Sequence, residues 1–367
     1  MAERGARPNV PPWRLRLLRA LSSLFKPLLP DDYLELISPL WTTQELRGRI
    51  ERIEQETADA VTVVIKPGWA WPGHKPGQYL RVGMPVSGIH HWRAYSITSD
   101  PGRPDGCISI TPKLVESGKV SRYLVRAAKP GVIVRLGDVE GAFTLPDPLP
   151  AKLLFISAGS GITPIMSMLR SLDHGRALAD SVHLHSARSA DEVIFGAQLR
   201  DLDRRNSGFR LHEQLTGESG RMSPADLDRL CPDWRERETF LSGPADMLAA
   251  MTEHWKQQLR DRECLHVEHF QPYLGGEEGE QGDGGMIRFC ASNVTAESDG
   301  SKPILQAGED AGATLPFGCR MGICHTCVGR LRSGKIRDLR TGRVHGQDGE
   351  IVRTCINAPE GAVEIEL

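Results

Sequence analysis

Four cysteines near the C-terminus have the spacing of an iron-sulfur site. Three follow the pattern C-x4-C-x2-C and the fourth comes 28 positions later: Cys319, Cys324, Cys327 and Cys355. Plant-type 2Fe-2S clusters have this spacing, because one loop supplies three thiolates and a separate element supplies the fourth. Gly318 and Gly322 would let the loop curl with its amides turned towards the sulfurs. A four-cysteine zinc site is the alternative, but zinc ligands usually come as two C-x2-C pairs.

A 2Fe-2S cluster carries one electron at a time, so the residues before it should supply a source of electrons. Two short motifs have residue types that suit a flavin: Arg93-Ala94-Tyr95-Ser96 and Gly118-Lys119-Val120-Ser121. An arginine can neutralise a pyrophosphate, and an aromatic ring can stack on an isoalloxazine. Hydroxyls beside a glycine at a helix start can hold phosphate. Each tetrapeptide alone is weak, because either can also be purely structural.

A third motif follows the continuous apolar run at residues 152–157, which is typical of a buried parallel strand. It reads Ala158-Gly159-Ser160-Gly161-Ile162-Thr163-Pro164. Its glycines permit close approach of a pyrophosphate, and the helix predicted from Ile165 supplies amides and partial positive charge. Pro164 suits the first helical turn. The loop indicates a dinucleotide site, although its pattern is GxGxxP rather than GxGxxG.

Arg188 follows the next predicted strand, at residues 182–185. An acid near this place would bind the ribose hydroxyls of NAD, whereas a base can accept the 2'-phosphate of NADP. Arg188 therefore favours NADPH as the donor, with NADH as the alternative. A solvent-exposed arginine without a nucleotide role is the structural explanation.

The elements that must position these motifs change character along the chain. Short strands punctuated by Gly and Pro between residues 47 and 145 predict a small antiparallel β-barrel. Residues 152–267 contain five apolar runs separated mostly by helical patterns, which predicts a doubly wound α/β domain. Residues 304–309 read as a helix before the cysteine loop. The fold class is thus multidomain, α/β and β.

We predict five segments: an N-terminal helical arm at 1–44, a flavin-binding barrel at 45–148, an α/β nucleotide-binding domain at 149–271, a flexible linker at 272–285 and a 2Fe-2S domain at 286–367. In the arm, residues 13–30 place apolar side chains at helical spacing with basic flanks. Such a helix either packs on the next domain or touches anionic lipid or a membrane-bound partner. The linker is rich in glycine and acid, which favours a tether.

Composition excludes some classes of protein. The 367 residues are 40% apolar and 25% charged, with a formal net charge of -2, which argues against a nucleic-acid binder. No apolar run reaches the roughly 18 residues of a membrane span, and no signal peptide is recognised. Four further cysteines are scattered and predicted to be buried free thiols: Cys107, Cys231, Cys264 and Cys290. Unpaired thiols beside an iron-sulfur site predict a reducing, cytoplasmic location, peripheral at the membrane if the arm binds lipid.

Two stretches resemble known families. Residues 286–367 resemble a plant-type ferredoxin domain, which implies a β-grasp fold. The two flavin motifs, inside a predicted barrel and before an α/β domain, resemble the flavin-binding half of the ferredoxin-NADP reductase family. That resemblance implies FAD, with FMN, which the phthalate dioxygenase reductases use, as the less favoured alternative.

The resemblance also implies roles by position in the flavin motifs. Tyr95 would stack on the flavin, Arg93 would meet its phosphates and Ser96 would lie near flavin N5. The pyrophosphate turn would be formed by Gly118, Val120 and Ser121.

On the nucleotide side, the family's glycine loop holds the nicotinamide nucleotide, with Thr163 near the nicotinamide. Ser242-Gly243-Pro244 matches the family's Cys-Gly-Pro turn, with serine in place of the usual cysteine, so the hydride-transfer contact of this side chain stays open. Glu268 and Phe270 match a Glu-x-Phe that the family places near the flavin and the nicotinamide. A packed strand end is the alternative for Phe270.

The order of the segments predicts electron flow from NAD(P)H through flavin to the cluster. This arrangement resembles oxygenase reductases. Residues 30–34 and 39–41 resemble the electron-transfer partners of bacterial acyl-CoA desaturases more closely. The expected acceptor is a diiron desaturase or hydroxylase, which can be membrane-bound, and a Rieske dioxygenase or haem monooxygenase is the alternative. A non-catalytic redox sensor is a further alternative, but it would need no nucleotide sites.

Overall fold

The computed structural model describes residues 38–42, 45–86, 89–116, 118–258, 264–270, 282–317, 322 and 325–367. The helix predicted at residues 13–30, most of the linker, and Gly318, Cys319 and Cys324 lie outside these residues. By compactness the chain divides into two units. The first comprises Met1–His90 and Tyr95–Glu268, and the second comprises His91–Ala94 and His269–Leu367.

The first sheet has six strands: β1 Leu46–Thr57, β2 Ala60–Pro67, β3 Tyr79–Val86, β4 Ile89–Ser96, β5 Ile108–Ile110 and β6 Ile133–Glu140. Their order is β4-β3-β6-β1-β2-β5, and the pairs β1–β2, β1–β6, β2–β5 and β3–β6 are antiparallel. An antiparallel bridge between Ile97 and Ile110 joins the two ends of this order. The predicted antiparallel barrel is confirmed.

Apolar side chains fill the interior of this barrel. β2 reads AVTVVIKP, and its Val61, Val63 and Ile65 lie in the core. Helix α1, Lys119–Arg126, adds Val120 and Leu124 to the same core. The helix that begins at the second flavin motif is therefore attached to the barrel by its own apolar face.

The second sheet has five strands: β7 Leu153–Ala158, β8 Ser181–Ala187, β9 Phe209–Leu215, β10 Glu238–Gly243 and β11 Leu265–His269. Their order is β11-β10-β7-β8-β9, and β10, β7, β8 and β9 run parallel. The helices are α2 Ile162–His174, α3 Gly196–Arg205, α4 Thr216–Ser219, α5 Pro224–Leu230 and α6 Ala245–Gln258. One core lies between the sheet and α2 and α3, and another between the sheet and α5 and α6. This confirms the doubly wound α/β prediction.

The third sheet belongs to the second unit. Its strands are β12 Gly285–Phe289, β13 Val294–Ser298, β14 Val328–Asp338, β15 Val344–His345, β16 Ile351–Arg353 and β17 Asn357–Glu366. The order is β13-β12-β17-β14-β15, with β16 paired to β14, and β12 and β17 run parallel. Helix α7, Ile304–Asp310, confirms the helix predicted before the cysteine loop and buries Ile304 and Leu305. A mixed sheet covered by one helix is the arrangement expected of the β-grasp fold.

The cysteines outside the C-terminal motif are not all buried. Cys107 and Cys231 are buried as predicted, and Cys264 is half-buried. The prediction was wrong for Cys290, which is exposed because it lies in the turn after β12. Among the described residues, no helix combines the length and the apolar character needed to cross a bilayer.

Candidate cofactor sites

The predicted dinucleotide loop lies between β7 and α2. Residues Gly159–Gly161 form a 3-10 turn, and Gly161 begins α2 without any side-chain cap. Gly159 has a φ of 53°, in the left-handed region, and a Cβ added there would meet nothing within 4 Å. No side chain caps this start, and within it the Ile162 amide donates back to the carbonyls of Gly159 and Ser160 while Pro164 has no N–H, so a ligand would meet the remaining amides of residues 160–163. This arrangement fits the pyrophosphate of a dinucleotide.

Gly161 is required by the protein itself. A Cβ at this position would lie 2.5 Å from the carbonyl carbon of Ser242 and 2.8 Å from Cα of Gly243. Strand β10 therefore ends directly against the loop. Thr163 Oγ1 donates to the carbonyl of Ser160 at 2.9 Å and closes the turn. Pro164 lies in the first turn of α2, as the sequence predicted.

The hydroxyl of Ser242 is turned into the protein. Its side chain is fully buried, and no hydrogen-bond partner among the described residues reaches Oγ. Ser242 pairs in register with Ser157 of β7, so both side chains lie on the sheet face covered by α2. In this structure the Ser242 backbone, rather than its hydroxyl, faces the loop.

A buried polar cluster that the sequence analysis did not single out lies on the same face. Ser157 Oγ lies 2.8 Å from His183 Nε2 and 2.7 Å from His185 Nδ1. Complete burial lowers the pKa of His185 to about 4 and the pKa of His183 well below its usual value. Both imidazoles are therefore neutral at physiological pH. Ser157 has one hydroxyl proton, so at least one imidazole must donate to it if both hydrogen bonds form.

Glu268 lies on β11 at the end of the first unit. Burial raises the pKa of its carboxyl group to about 7. Among the described residues, no cation forms an ion pair with this carboxylate, so burial alone accounts for the shift. Phe270 directly follows β11 and is half-buried. Arg188 is exposed just beyond β8 and forms a 2.9 Å ion pair with Glu192.

The flavin motifs lie on β4 and at the start of α1. Tyr95 packs against the barrel core, and Ser96 is buried at the end of the strand. The Arg93 guanidinium donates to the carbonyl of Trp92 at 2.7 Å. Val120 is fully buried, so only its backbone can meet a ligand.

Gly118 caps α1 in an extended conformation, again without a side-chain cap. A Cβ added there would lie 2.6 Å from Ser121 Oγ and 3.1 Å from the Val115 carbonyl oxygen. The Ser121 hydroxyl also accepts a hydrogen bond from the Val115 amide at 3.2 Å. A glycine-started helix beside a hydroxyl fits a phosphate, as the flavin prediction requires.

The two described cysteines of the cluster motif are brought together by the third sheet. Val328 pairs with Arg353 across β14 and β16, which places Cys327 and Cys355 at the same end of these strands. Both cysteines are buried. The main-chain amide and the hydroxyl of Thr354 both donate to the carbonyl of Cys327, at 3.0 and 2.8 Å.

Gly322 supports the iron-sulfur interpretation. Its amide donates to the sulfur of Cys355 at 3.2 Å, and its φ of 72° lies in the left-handed region. A Cβ there would meet Ile356 Cδ1 at 2.5 Å. Arg353 Nη1 donates to the Gly322 carbonyl at 2.8 Å. An amide directed at a cysteine sulfur fits a thiolate that ligates a cluster, and such bonds tune its potential.

Comparison with protein families identifies two domains in this chain. Residues 70–144 match the oxidoreductase FAD-binding domain. Residues 287–360 match the 2Fe-2S iron-sulfur cluster binding domain. The two matches lie within the predicted flavin barrel and the predicted cluster domain.

Whole-chain comparisons extend this result. An NADPH oxidoreductase of Mycobacterium tuberculosis is 43% identical over 361 residues, covering 97% of this chain and 93% of the relative. The stachydrine N-demethylase reductase subunit of Rhizobium meliloti is 30% identical over 331 residues, covering 85% and 93%. Among solved structures, phthalate dioxygenase reductase matches with a TM-score of 0.59 at 19% identity, covering 88% of this chain and 98% of that one. The last match shows a shared fold.

Proposed function

This chain belongs to the family of NAD(P)H-dependent reductases that join an FAD-binding domain to a C-terminal 2Fe-2S domain, and we propose that it serves a diiron desaturase or hydroxylase. It is an oxidoreductase of the electron-transfer type. Its relatives include reductase components of oxygenase systems. The preferred donor in this proposal is NADPH.

One observation carries the proposal for the electron path. The first compact unit contains two helix starts, at Gly118 and Gly161, that have glycine and no side-chain cap. One lies in the FAD-binding match, and the other lies at the carboxyl end of a parallel strand, where open α/β sheets bind nucleotides. Two helix starts of this kind in one unit suit the phosphates of a flavin and of its nucleotide donor. We propose that the flavin-binding barrel spans residues 45–148, the nucleotide-binding domain 149–271 and the 2Fe-2S domain 286–367, as the sequence predicts.

The chain's own residues have distinct tasks in this proposal. When bound, the flavin accepts a hydride and an iron-sulfur cluster carries single electrons. Free amides of the loop at residues 160–163 would hold the donor's pyrophosphate, and Arg188 its 2'-phosphate. Tyr95 would flank the flavin, and the start of α1 would hold the flavin's phosphates. The cluster would be held by Cys319, Cys324, Cys327 and Cys355.

Anaerobic titration of the purified holoprotein tests the electron path. NADPH and then NADH are added while the flavin absorbance and the EPR spectrum of the cluster are followed. We expect flavin bleaching and a rhombic EPR signal, with NADPH effective at lower concentration. A protein with intact flavin and iron that gave neither response would disprove the reductase function.

The choice of a diiron acceptor is supported by the resemblance of residues 30–34 and 39–41 to desaturase electron-transfer partners. Of these, residues 39–41 lie at the barrel, where Trp41 is 44% exposed and thus open to a partner. Reconstituted turnover with a diiron desaturase, a Rieske oxygenase and a haem monooxygenase tests this choice. Failure to drive any desaturase would remove it.

The alternative acceptor is a Rieske dioxygenase or haem monooxygenase. It is favoured by relatives named as reductase subunits of an N-demethylase and of a glycine betaine monooxygenase, each 30% identical to this chain. The same reconstitution distinguishes the two acceptors, because only the acceptor protein is changed.

We also propose a cytoplasmic location, with contact between the N-terminal arm and a membrane. The basic flanks and apolar spacing of residues 13–30 support it. Co-sedimentation with anionic liposomes should fall when residues 1–28 are deleted. Equal co-sedimentation of the two proteins would refute the lipid contact.

A further inference from the structure

Helix α2 carries a stripe of three polar side chains that all bind one short segment of the barrel: Ser167, Arg170 and His174. Ser167 Oγ donates to the carbonyl of Ser99 at 2.7 Å. Arg170 Nη1 donates to the carbonyl of Thr98, also at 2.7 Å. Spacings of three and four residues keep the three side chains on one face of the helix.

The stripe continues to the end of the helix, and the segment it binds is itself fixed. His174 Nδ1 lies 2.6 Å from a carboxylate oxygen of Asp100. On the barrel side, the Thr98 amide donates to the Ser109 carbonyl at 2.8 Å, and the Ser109 amide donates to Ser99 Oγ at 3.1 Å. The segment 98–100 is therefore held by α2 on one side and by β5 on the other.

Arg170 is the unusual member of the stripe. Its Nη2 donates to Gln198 Oε1 at 2.7 Å, and its Cζ lies 4.8 Å from the centre of the Phe195 ring. Burial lowers the pKa of its guanidinium to about 10, and among the described residues it forms no ion pair with a carboxylate. A well-packed apolar side chain often stabilises such a site better than a buried charge does. The guanidinium is thus better explained by the directed bond to Thr98 than by stability.

We propose that Arg170 is a positioning residue that sets the distance between the nucleotide loop and the flavin strand. Gly161 and Arg170 belong to the same rigid helix, and Thr98 follows Ser96 of the flavin motif by two residues. The bond from Arg170 to Thr98 therefore links the helix that begins at the nucleotide loop to the segment that follows the flavin strand. This inference rests on the proposed reductase function. Rates of hydride transfer depend steeply on such a distance, since a displacement of about 1 Å can cost about 100-fold.

The test compares Arg170→Met and Ser167→Ala with Arg205→Met. Arg205 is a matched control, because its guanidinium binds Asp173 at the same helix but reaches no barrel residue among those described. Stopped-flow reduction of the flavin by NADPH should slow about 10- to 100-fold in Arg170→Met and by about 3-fold in Ser167→Ala. Calorimetric affinity for NADP+ and the FAD content should change by less than about 3-fold, because neither binding site loses a group. The visible circular dichroism of the bound flavin should match that of the unmodified protein.

Each result decides the question. If Arg170→Met slows flavin reduction no more than Arg205→Met does, the positioning role is wrong and the reductase function stands. A loss of NADP+ affinity equal to the loss of rate would make Arg170 a binding residue and would also overturn the inference. If Arg170→Met fails to fold, normal rates in Ser167→Ala refute the inference and slowed rates support it. If NADPH and NADH both fail to reduce the unmodified holoprotein, the proposed function falls and takes this inference with it.

Discussion

The helix starts at Gly118 and Gly161 both lack a side-chain cap, yet a Cβ added at each would meet different neighbours. At Gly161 it would meet the backbone of Ser242 and Gly243, which cannot move without displacing β10. At Gly118 its nearest neighbour would be the Ser121 hydroxyl, which can rotate at the cost of its bond to the Val115 amide, and Val115 Cβ and the Val115 carbonyl oxygen would follow at 3.1 Å. Both regions thus have an uncapped glycine at a helix start, but the atoms packed around the two glycines differ.

The difference separates two reasons for a glycine in a binding loop. In the nucleotide loop, the protein's own packing demands glycine, with or without a ligand. In the flavin turn, the protein's own contacts are less severe, and we expect the stronger demand to come from the phosphate that the turn is proposed to hold. Substitution should therefore damage stability in the first region and ligand retention in the second.

Gly161→Ala gives the largest expected effect. Because the new methyl group would overlap the β10 backbone, unfolding should become easier by about 3 kcal/mol. The measurement is urea unfolding followed by tryptophan fluorescence, to which Trp234 and Trp255, buried in the α/β domain, contribute. Gly159→Ala is the control, since its methyl group would meet open space and its positive φ should cost only about 1 kcal/mol. Equal losses in the two variants would contradict the packing explanation.

Local patterns in the sequence were sufficient to predict that Gly118 and Gly161 lie at helix starts, and to predict most strands. β2 and β7 read as β-branched and apolar runs, and Gly159 and Gly161 follow β7 immediately, so the signal lies within a few residues. The burial of the Ser242 hydroxyl and the bond from Arg170 to Thr98 could not be predicted in this way. The first depends on strand register, and the second joins residues 72 positions apart. Contacts of this kind leave no periodic signal in one sequence.

Glu268 sharpens the comparison, because it belongs to the nucleotide half and no described cation pairs with its buried carboxylate. Its pKa is raised from 4.5 to about 7 by burial, so the folded state keeps a proton that the unfolded state loses between these values. The contribution of this carboxyl group to the free energy of unfolding is therefore full below about pH 4.5. It falls as the pH rises to about 7, by up to about 3 kcal/mol.

Glu268→Gln should remove most of this pH dependence. Thermal unfolding midpoints of the holoprotein at pH 5 and pH 8 measure it. We expect the variant to gain stability relative to the unmodified protein as the pH rises. A parallel pH dependence in the two proteins would mean that the carboxylate is compensated by a ligand or by a cation.

Gly118→Ala should have a smaller effect and the opposite signature from Gly161→Ala. The Ser121 hydroxyl can rotate at the cost of its hydrogen bond from the Val115 amide, so the unfolding free energy should fall by only about 1 kcal/mol. FAD should dissociate about 10-fold more readily, equivalent to about 1.4 kcal/mol, because the methyl group occupies the proposed phosphate space. The measurement is the amount of FAD that each protein releases on dialysis, followed by the fluorescence of the released flavin.

The double variant Gly118→Ala, Ser121→Ala separates two causes of such a loss. It removes the hydroxyl that the new methyl group would touch at 2.6 Å. Normal FAD retention in the double variant would assign the loss to that contact. Because Ser121 belongs to the proposed pyrophosphate turn, Ser121→Ala alone is the reference, and only a loss greater than in that variant would be assigned to the ligand's own space.

The smallest effect is expected at the far end of the nucleotide site, where Glu192 holds Arg188 at 2.9 Å. Exposed ion pairs contribute about 0–1 kcal/mol, so Glu192 should compete only weakly with a 2'-phosphate for this arginine. Glu192→Gln should therefore lower the KM for NADPH by about 2-fold and leave the KM for NADH unchanged. Arg188→Ala is the reciprocal variant, and it should raise only the KM for NADPH. If either substitution changed the KM for NADPH and the KM for NADH by the same factor, Arg188 would be a surface residue. It would then have no part in binding the 2'-phosphate.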